Sequence, residues 1–209
     1  MNTVTLTVFD VHGNSSSETA RVKVEDTTAP EIHCQPHTVY LLYNGDWVLD
    51  KDDYKYITEG TSDACTAVKD FEYHATPLSF ECEEVHSTVP VTVSVTDLQG
   101  NMSTCETTVL VKDTLGPRMD CVESLEFELD ENSSASVTVE MLNDSDDDTG
   151  HPVGVQTYNG AVGGSYDACG IASAWISQGE FDCSDIGILH DTLFMEDING
   201  NVNWCTTEI

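Results

Sequence analysis

Apolar and polar residues alternate with a period of two along most of this chain. Val4, Leu6 and Val8 are interleaved with Thr3, Thr5 and Thr7; Val89, Val91, Val93 and Val95 with Pro90, Thr92, Ser94 and Thr96; Val137 and Val139 flank Thr138. That spacing belongs to a strand with one buried face, and the β-branched residues dominating these runs suit a pleated surface. Asn-Gly, Gly-Asn and Pro punctuate the runs, which predicts antiparallel strands joined by tight turns. No stretch carries an amphipathic helical stripe longer than a turn or two. The predicted fold class is all-β.

Three segments repeat: Val8-Phe9-Asp10-Val11-His12-Gly13-Asn14, Val95-Thr96-Asp97-Leu98-Gln99-Gly100-Asn101 and Met195-Glu196-Asp197-Ile198-Asn199-Gly200-Asn201. Asp-x-x-Gly-Asn between alternating runs reads as a hairpin turn, with Gly and Asn able to take positive φ. Asp26-Thr27-Thr28-Ala29-Pro30 recurs as Asp113-Thr114-Leu115-Gly116-Pro117, and Ser62-Asp63-Ala64-Cys65 as Tyr166-Asp167-Ala168-Cys169. Phe80-Glu81-Cys82 recurs as Phe181-Asp182-Cys183. Anchors recurring in one order divide the chain into the last strands of one repeat (1–28), a full repeat (29–115) and a second full repeat (116–209) with an insertion at about 140–165. Several short strands in each repeat fit an immunoglobulin-like antiparallel β-sandwich, so the architecture expected is a tandem of such sandwiches.

Each full repeat holds four cysteines: Cys34, Cys65, Cys82 and Cys105, then Cys121, Cys169, Cys183 and Cys205. No Cys-x-x-Cys pair and no histidine at ligand spacing accompanies them, so disulfides are favoured over zinc. Four cysteines allow three connectivities, and sequence alone does not select among them. Chain geometry favours first with fourth and second with third, which predicts Cys34–Cys105, Cys65–Cys82, Cys121–Cys205 and Cys169–Cys183. Disulfides place the chain in an oxidising, extracellular compartment.

Composition narrows the function. The chain has 38 acidic against 7 Lys and Arg residues, a formal charge of −31. A phosphate-binding face needs clustered cations, so nucleic acid and anionic membranes are excluded as partners. No run of eighteen apolar residues exists and Met1 heads no basic and apolar leader, so neither a membrane span nor a signal peptide is expected and a secreted parent would make this an interior piece. The seven histidines recur at no fixed position, and neither a Gly-x-Ser-x-Gly nor a glycine-rich phosphate loop occurs, so no enzyme is expected. The acids at recurring positions are different from the rest, because a sandwich brings the linker, the Asp-Ala-Cys loop and the hairpin turn to one pole. That predicts Ca²⁺ ligands at Asp26, Asp63, Asp97 and Asn101, and one repeat on at Asp113, Asp167, Asp197, Asn199 and Asn201. The competing reading is that Asp and Asn simply suit turns. Asn143–Gly150 is a weaker calcium-loop match, lacking the sixth-position Gly. Trp47, Tyr158, Trp175 and Trp204 could stack on sugar rings, which makes a carbohydrate-binding module the alternative function.

The succession Asp-Thr-Thr-Ala-Pro-Glu-Ile…Cys, Ser-Asp-Ala-Cys, Phe-Glu-Cys and Val-Thr-Val-Ser-Val-Thr-Asp-Leu-Gln-Gly-Asn…Cys resembles the hyalin repeat and related immunoglobulin-like modules strung in tandem in giant cell-surface adhesins of Bacteroidota. The resemblance covers essentially the whole chain. It implies a sandwich fold, cell adhesion and a cell-surface location. The chain is then expected to be a stalk segment of a surface adhesin or filament, stapled by disulfides and stiffened by Ca²⁺ between repeats. Its partners would be neighbouring repeats of the same long chain, identical chains in a filament or bundle, and surface glycans. The insertion and Asp191-Thr192-Leu193-Phe194-Met195, which breaks the Val/Thr alternation, set the second repeat apart.

Overall fold

The alternating runs form strands, and their apolar faces gather into two separate cores. The computed structural model describes residues 2–144, 156–157 and 164–209. In the first full repeat the strands are β3 (His37–Tyr40), β4 (Asp46–Val48), β5 (Glu72–Thr76), β6 (Ser79–Glu81), β7 (Thr88–Thr96) and β8 (Met102–Lys112). One sheet runs β3-β8-β7-β5 and the other pairs β4 with β6. All pairings are antiparallel except β3 with β8, which are parallel from His37↔Val109 to Tyr40↔Lys112. The inward residues of β7 and β8 meet Phe80 of β6 and Leu41 and Leu49 beside the short sheet. This is the immunoglobulin-like sandwich, with the mixed edge of the larger sheet supplied by the strand that opens the repeat.

A seven-residue helix, α1 (Lys51–Ile57), interrupts the all-β plan expected from the alternation. Asp50 caps it by accepting from the Asp52 and Asp53 amides at 2.8 and 3.1 Å, while Asp53 reaches back to the Asp50 amide at 3.0 Å. Asp53 is buried and also accepts from Trp47 Nε1 at 2.9 Å, with His37 Nε2 at 2.8 Å from its other oxygen. Trp47 is therefore committed to the interior of the sandwich.

The second repeat follows the same plan with β9 (Ser134–Ser136), α2 (Val139–Leu142), β10 (Gln156–Thr157), β11 (Tyr166–Asp167), β12 (Ile171–Ile176), β13 (Glu180–Asp182), β14 (His190–Asp197) and β15 (Val202–Glu208). Its sheets are β12-β14-β15 and β9-β13, with β10 paired to β11. A parallel bridge from Ser124 to Glu208 repeats the β3–β8 relation. Most of the insertion, including 145–155 and Tyr158, lies outside the described residues. The irregular alternation of β14 has a local cause: Asp191 takes the inward place that Val91 holds in β7. Its carboxylate is buried but is met by the Ser177 hydroxyl and by the Gln178 and Thr192 amides, the last two at 2.9 and 2.7 Å.

The N-terminal segment is a lone hairpin of β1 (Asn2–Phe9) and β2 (Ser15–Val22). Val4, Leu6 and Val8 are 49, 69 and 60% exposed, whereas the matching Val91, Val93 and Val95 of β7 are at 1, 0 and 0%. The hairpin has the pattern of the last two strands of a sandwich without the body that would cover it.

Cys34 is bonded to Cys105 and Cys121 to Cys205, tying the opening of each repeat to its last strand. The expected Cys65–Cys82 and Cys169–Cys183 bridges are replaced by a single bond between repeats, Cys82–Cys169, and Cys65 and Cys183 are free and exposed. The reason is the direction of the chain across the sandwich. Cys65 lies at the pole where β7 ends, and Cys82 at the pole where β7 begins. Nine extended residues separate the two poles by about 30 Å.

Asp53→Ala is expected to lower stability by about 2–3 kcal/mol, because Trp47 Nε1, His37 and the Asp50 amide lose a charged acceptor in a buried place. Urea unfolding followed by Trp fluorescence measures it, and Asp52→Ala on the exposed side of the same turn serves as the reference.

Candidate metal centres between the repeats

Each recurring acid is first of all the organiser of its own turn. Asp97 Oδ1 accepts from the Gln99 and Asn101 amides, both at 2.8 Å, and its Oδ2 from Asn101 Nδ2 at 2.8 Å. Asp197 is held identically by the Asn199 and Asn201 amides at 2.8 Å and Asn201 Nδ2 at 2.7 Å. Asp10, in the lone hairpin, repeats the arrangement with His12 and Asn14. Gly100 and Gly200 close these turns at φ +89° and +87°, where a side chain would be strained.

Two further hydrogen bonds at each pole bring the linkers to the turns. Ser103 Oγ donates to the Pro30 carbonyl at 2.6 Å, and Asn203 Nδ2 to the Pro117 carbonyl at 3.0 Å. Asn101 Nδ2 reaches the Asp26 carbonyl at 3.3 Å and Asn201 Nδ2 the Asp113 carbonyl at 3.5 Å. The Asp-Ala-Cys loops are fastened to the same linkers through the paired bridges Glu31↔Ser62 and Arg118↔Tyr166. Within the loops, Asp63 Oδ1 accepts from the Cys65 and Thr66 amides and Asp167 Oδ1 from the Cys169 and Gly170 amides.

The consequence is a cluster of carboxylates at each pole. Asp26, Asp63 and Asp97 offer oxygens that lie within 4.8 Å of one another. Asp113 and Asp167 meet within the same distance, with Cys169 Sγ beside them and Asp197 close enough to act on Asp167 electrostatically. Cys169 is spent in its disulfide, so the donors at this pole are oxygens. The Asp26 Oδ2 atom is buried and accepts no hydrogen bond. The expected asparagine ligands sit beside the acids but turn their amide nitrogens toward them: Asn199 Nδ2 donates to Asp113 Oδ2 at 2.9 Å, as Asn101 and Asn201 do to Asp97 and Asp197. Three carboxylates on rigid turns are hard donors of the kind Ca²⁺ takes, and backbone carbonyls of the two linkers lie next to them.

The two poles differ in depth. Asp113, Asp167 and Asp197 are all buried, whereas Asp26 and Asp63 are only half-buried. Burial, reinforced by the charges of Asp113 and Asp197 and opposed by the Cys169 and Gly170 amides, raises Asp167 to about 6. At Asp97 burial works against the charge, but the hydrogen bonds from Asn101, Gln99 and Gly100 outweigh it and hold the carboxyl below its ordinary value. The Cys65 thiol is pushed up by its hydrogen bond to Asp26 and by the charges of Asp26, Asp63 and Asp97. The shared Asp-Ala-Cys tripeptide is the sequence signal that sets Cys65 and Cys169 next to the acids.

The remaining sequence-stated sites are placed elsewhere. Asn143 serves structure, accepting the Ser165 amide at 2.9 Å, and residues 145–150 of the acidic run lie outside those described. Trp175 and Trp204 are 41 and 60% exposed on β12 and β15. Trp175 stacks face to face on Phe194 with centroids 5.5 Å apart, and Phe194 is paired across the strands with Trp204.

No family model and no curated protein matches the chain. Among solved structures it is similar to the human desmocollin-1 ectodomain, at TM-score 0.28 and 11% identity over 96% of this chain and 40% of that one. It is similar also to protocadherin gamma B7 extracellular cadherin domains 1–4 (TM-score 0.26, 10% identity, 99% of this chain and 63% of that one) and to protocadherin gamma B2 extracellular cadherin domains 1–5 (0.27, 14%, 99% and 44%). The chain thus spans about two fifths to three fifths of the length of these proteins.

Asp167 gives the ion-free protein a distinct response to pH. Its folded-state value lies above the ordinary 3.8, so between about pH 4 and 6 the folded state binds more protons than the unfolded one. Stability at this site is full below pH 4 and is lost as pH rises through about 6. Stability in chelator is therefore expected to rise on acidification from pH 7 to 5, by about 1.3 kcal/mol from this group, and Asp167→Asn is expected to flatten that rise.

Proposed function

We propose that the chain is a non-enzymatic segment of an extracellular stalk or adhesin, in which each junction between sandwiches binds Ca²⁺. The observation that supports it is the repeated convergence of one linker acid, one loop acid and one hairpin acid at the same pole. Asp26, Asp63 and Asp97 form one centre and Asp113, Asp167 and Asp197 the next, with one acid of each set lying on the linker itself. A divalent ion there ties the linker to the sandwich that follows it, which limits bending between neighbours. The acids at these poles are already engaged in turns, an arrangement suited to holding an ion still rather than to moving protons. Disulfides agree with an extracellular place. A net charge of −31 keeps such segments apart in solution and makes the junctions dependent on cations. Repetition of rigid units then converts weak contacts into firm attachment by multivalency.

Melting and small-angle scattering are compared at equal ionic strength, in calcium and in chelator with added sodium chloride. Calcium at a hundred times its dissociation constant is expected to add about 2.7 kcal/mol for one site and to narrow the distribution of overall lengths. Asp167→Asn is expected to remove that gain at its own junction. Identical curves in the two buffers would show that the acids only form turns and solvated surface.

A further inference from the structure

The two unbonded cysteines stand in the places of the two that are bonded across the repeats. Cys82 and Cys183 each follow a Phe-acid pair at the end of β6 and β13, and Cys65 and Cys169 each close an Asp-Ala-Cys loop. The Cys82–Cys169 bond therefore joins the Phe-acid-Cys turn of one repeat to the Asp-Ala-Cys loop of the next, with Cα atoms 5.2 Å apart and a sequence separation of 87. Cys65 and Cys183 are both exposed.

The junction around the bond is built for close approach. A Cβ on Gly45 would lie 2.7 Å from Ala168 Cβ and 2.8 Å from Cys82 Sγ, so the turn before β4 admits the incoming loop only because residue 45 is glycine at φ +79°. Arg118 covers Tyr43 of the first repeat and Tyr166 of the second, 5.5 and 6.0 Å from the ring centroids.

Apolar side chains stand exposed on the hairpin and beside Cys183. The hairpin β1–β2, joined to the Cys65 pole through the linker that holds Asp26, exposes the face that β7–β8 buries against a sandwich body. Near Cys183, a groove between residues 124–129 and 186–188 is lined by Leu125, Phe127, Ile186 and Ile188. In the first repeat the corresponding segments are bridged by Leu110–Lys112, where the Val111 amide donates to Ser87 at 3.1 Å and the Leu41 amide to Lys112 at 2.9 Å.

We propose that Cys82–Cys169 is one rung of a periodic series of disulfides between repeats, and that Cys65 and Cys183 are its adjoining half-rungs. Cys65 bonds to the Phe-acid-Cys cysteine of a repeat body that β1–β2 completes, and Cys183 to the Asp-Ala-Cys cysteine of a further repeat. In each case two thiols give up two protons and two electrons to a small disulfide such as oxidised glutathione, which leaves as two thiols. The inference rests on the tandem-repeat part of the proposed function and is independent of calcium. Ser133, at φ 61°, holds the place of Gly45 in the second repeat, so its side chain keeps the loop of a further repeat from approaching Cys183 as closely as Ala168 approaches Cys82.

The test extends the full chain at Met1 with a second copy of its own residues 25–87, which supplies the missing body to β1–β2. Cys34→Ser is made in the added copy, because Glu18 holds the place of its partner Cys105. After oxidation in glutathione buffer, non-reducing peptide mapping is expected to show the added Cys82 bonded to Cys65, with Cys183 still open to alkylation and the β1–β2 amides slowed in hydrogen exchange. A protected hairpin with Cys65 free, or with the added Cys82 bonded to the added Cys65, overturns the proposal. Should the hairpin stay unprotected, Cys65→Ser and Cys183→Ser variants of the 209-residue chain are mixed in the same buffer. A Cys183–Cys65 heterodimer at about ten times the yield of either homodimer supports the rungs, and equal or absent yields overturn them. Scattering keeps the two readings apart: a chain that lengthens by one repeat while Cys65 stays free retains the stalk and loses the disulfide series.

Discussion

Like charge held at close quarters is the constraint on which the junctions of this molecule depend. Carboxylate oxygens lie within 4.8 Å of one another at both poles, among Asp26, Asp63 and Asp97 at the first and between Asp113 and Asp167 at the second, and they repel when ionised. The chain tolerates this by giving each acid its own set of turn amides, and by turning Asn101, Asn199 and Asn201 so that their amide nitrogens face the charge. What those donors leave uncompensated shows at Asp167, whose proton is held to about pH 6 by burial among its acidic neighbours. A divalent cation is the natural completion of such a set, since it replaces several weak donors with one strong charge.

The same hydrogen bonds that tame the acids also decide how one sandwich meets the next. Asn101 and Asn201 each close a hairpin and hold a linker carbonyl, so the turn between the last two strands is coupled directly to the connection with the neighbouring repeat. Any stiffening of the turn is passed to the linker. Between the two full repeats the coupling is stronger, because the Cys82–Cys169 bond, the Gly45–Ala168 contact and the Arg118 stack all act at one pole. Their joint cover accounts for the deeper burial of Asp113, Asp167 and Asp197 compared with Asp26 and Asp63.

The two repeats are variations on one plan, and their differences are local. Asp191 replaces an inward valine and remains satisfied at one oxygen because Ser177 and two amides come to it, which leaves the β14 pairing with β12 and β15 in register through Leu193 and Phe194. Trp47 looks from the chain like a candidate sugar platform, yet α1 draws it inward through Asp53. On the second repeat Trp175 and Trp204 stay exposed on β12 and β15, and Trp175 stacks on Phe194.

The sequence by itself determined the strands, the repeat length, the hairpin turns and the acids that converge, because each rests on local chemistry: alternation fixes a buried face, and Asp-x-x-Gly-Asn fixes a turn. It also identified the first and fourth cysteines of each repeat as neighbours, since the strand that opens a sandwich runs beside the one that closes it. The asparagines were legible as members of the poles, but which atom of each amide faces the acids depends on the linker carbonyls that only folding brings near. The pairing of the middle cysteines was decided by tertiary structure alone. Cys65 and Cys82 are close along the chain and lie at opposite poles, and the partner of Cys82 belongs to another repeat. Proximity in sequence measures loop length, whereas a disulfide needs two Cα atoms within about 7 Å, and here that condition is met only where two sandwiches touch.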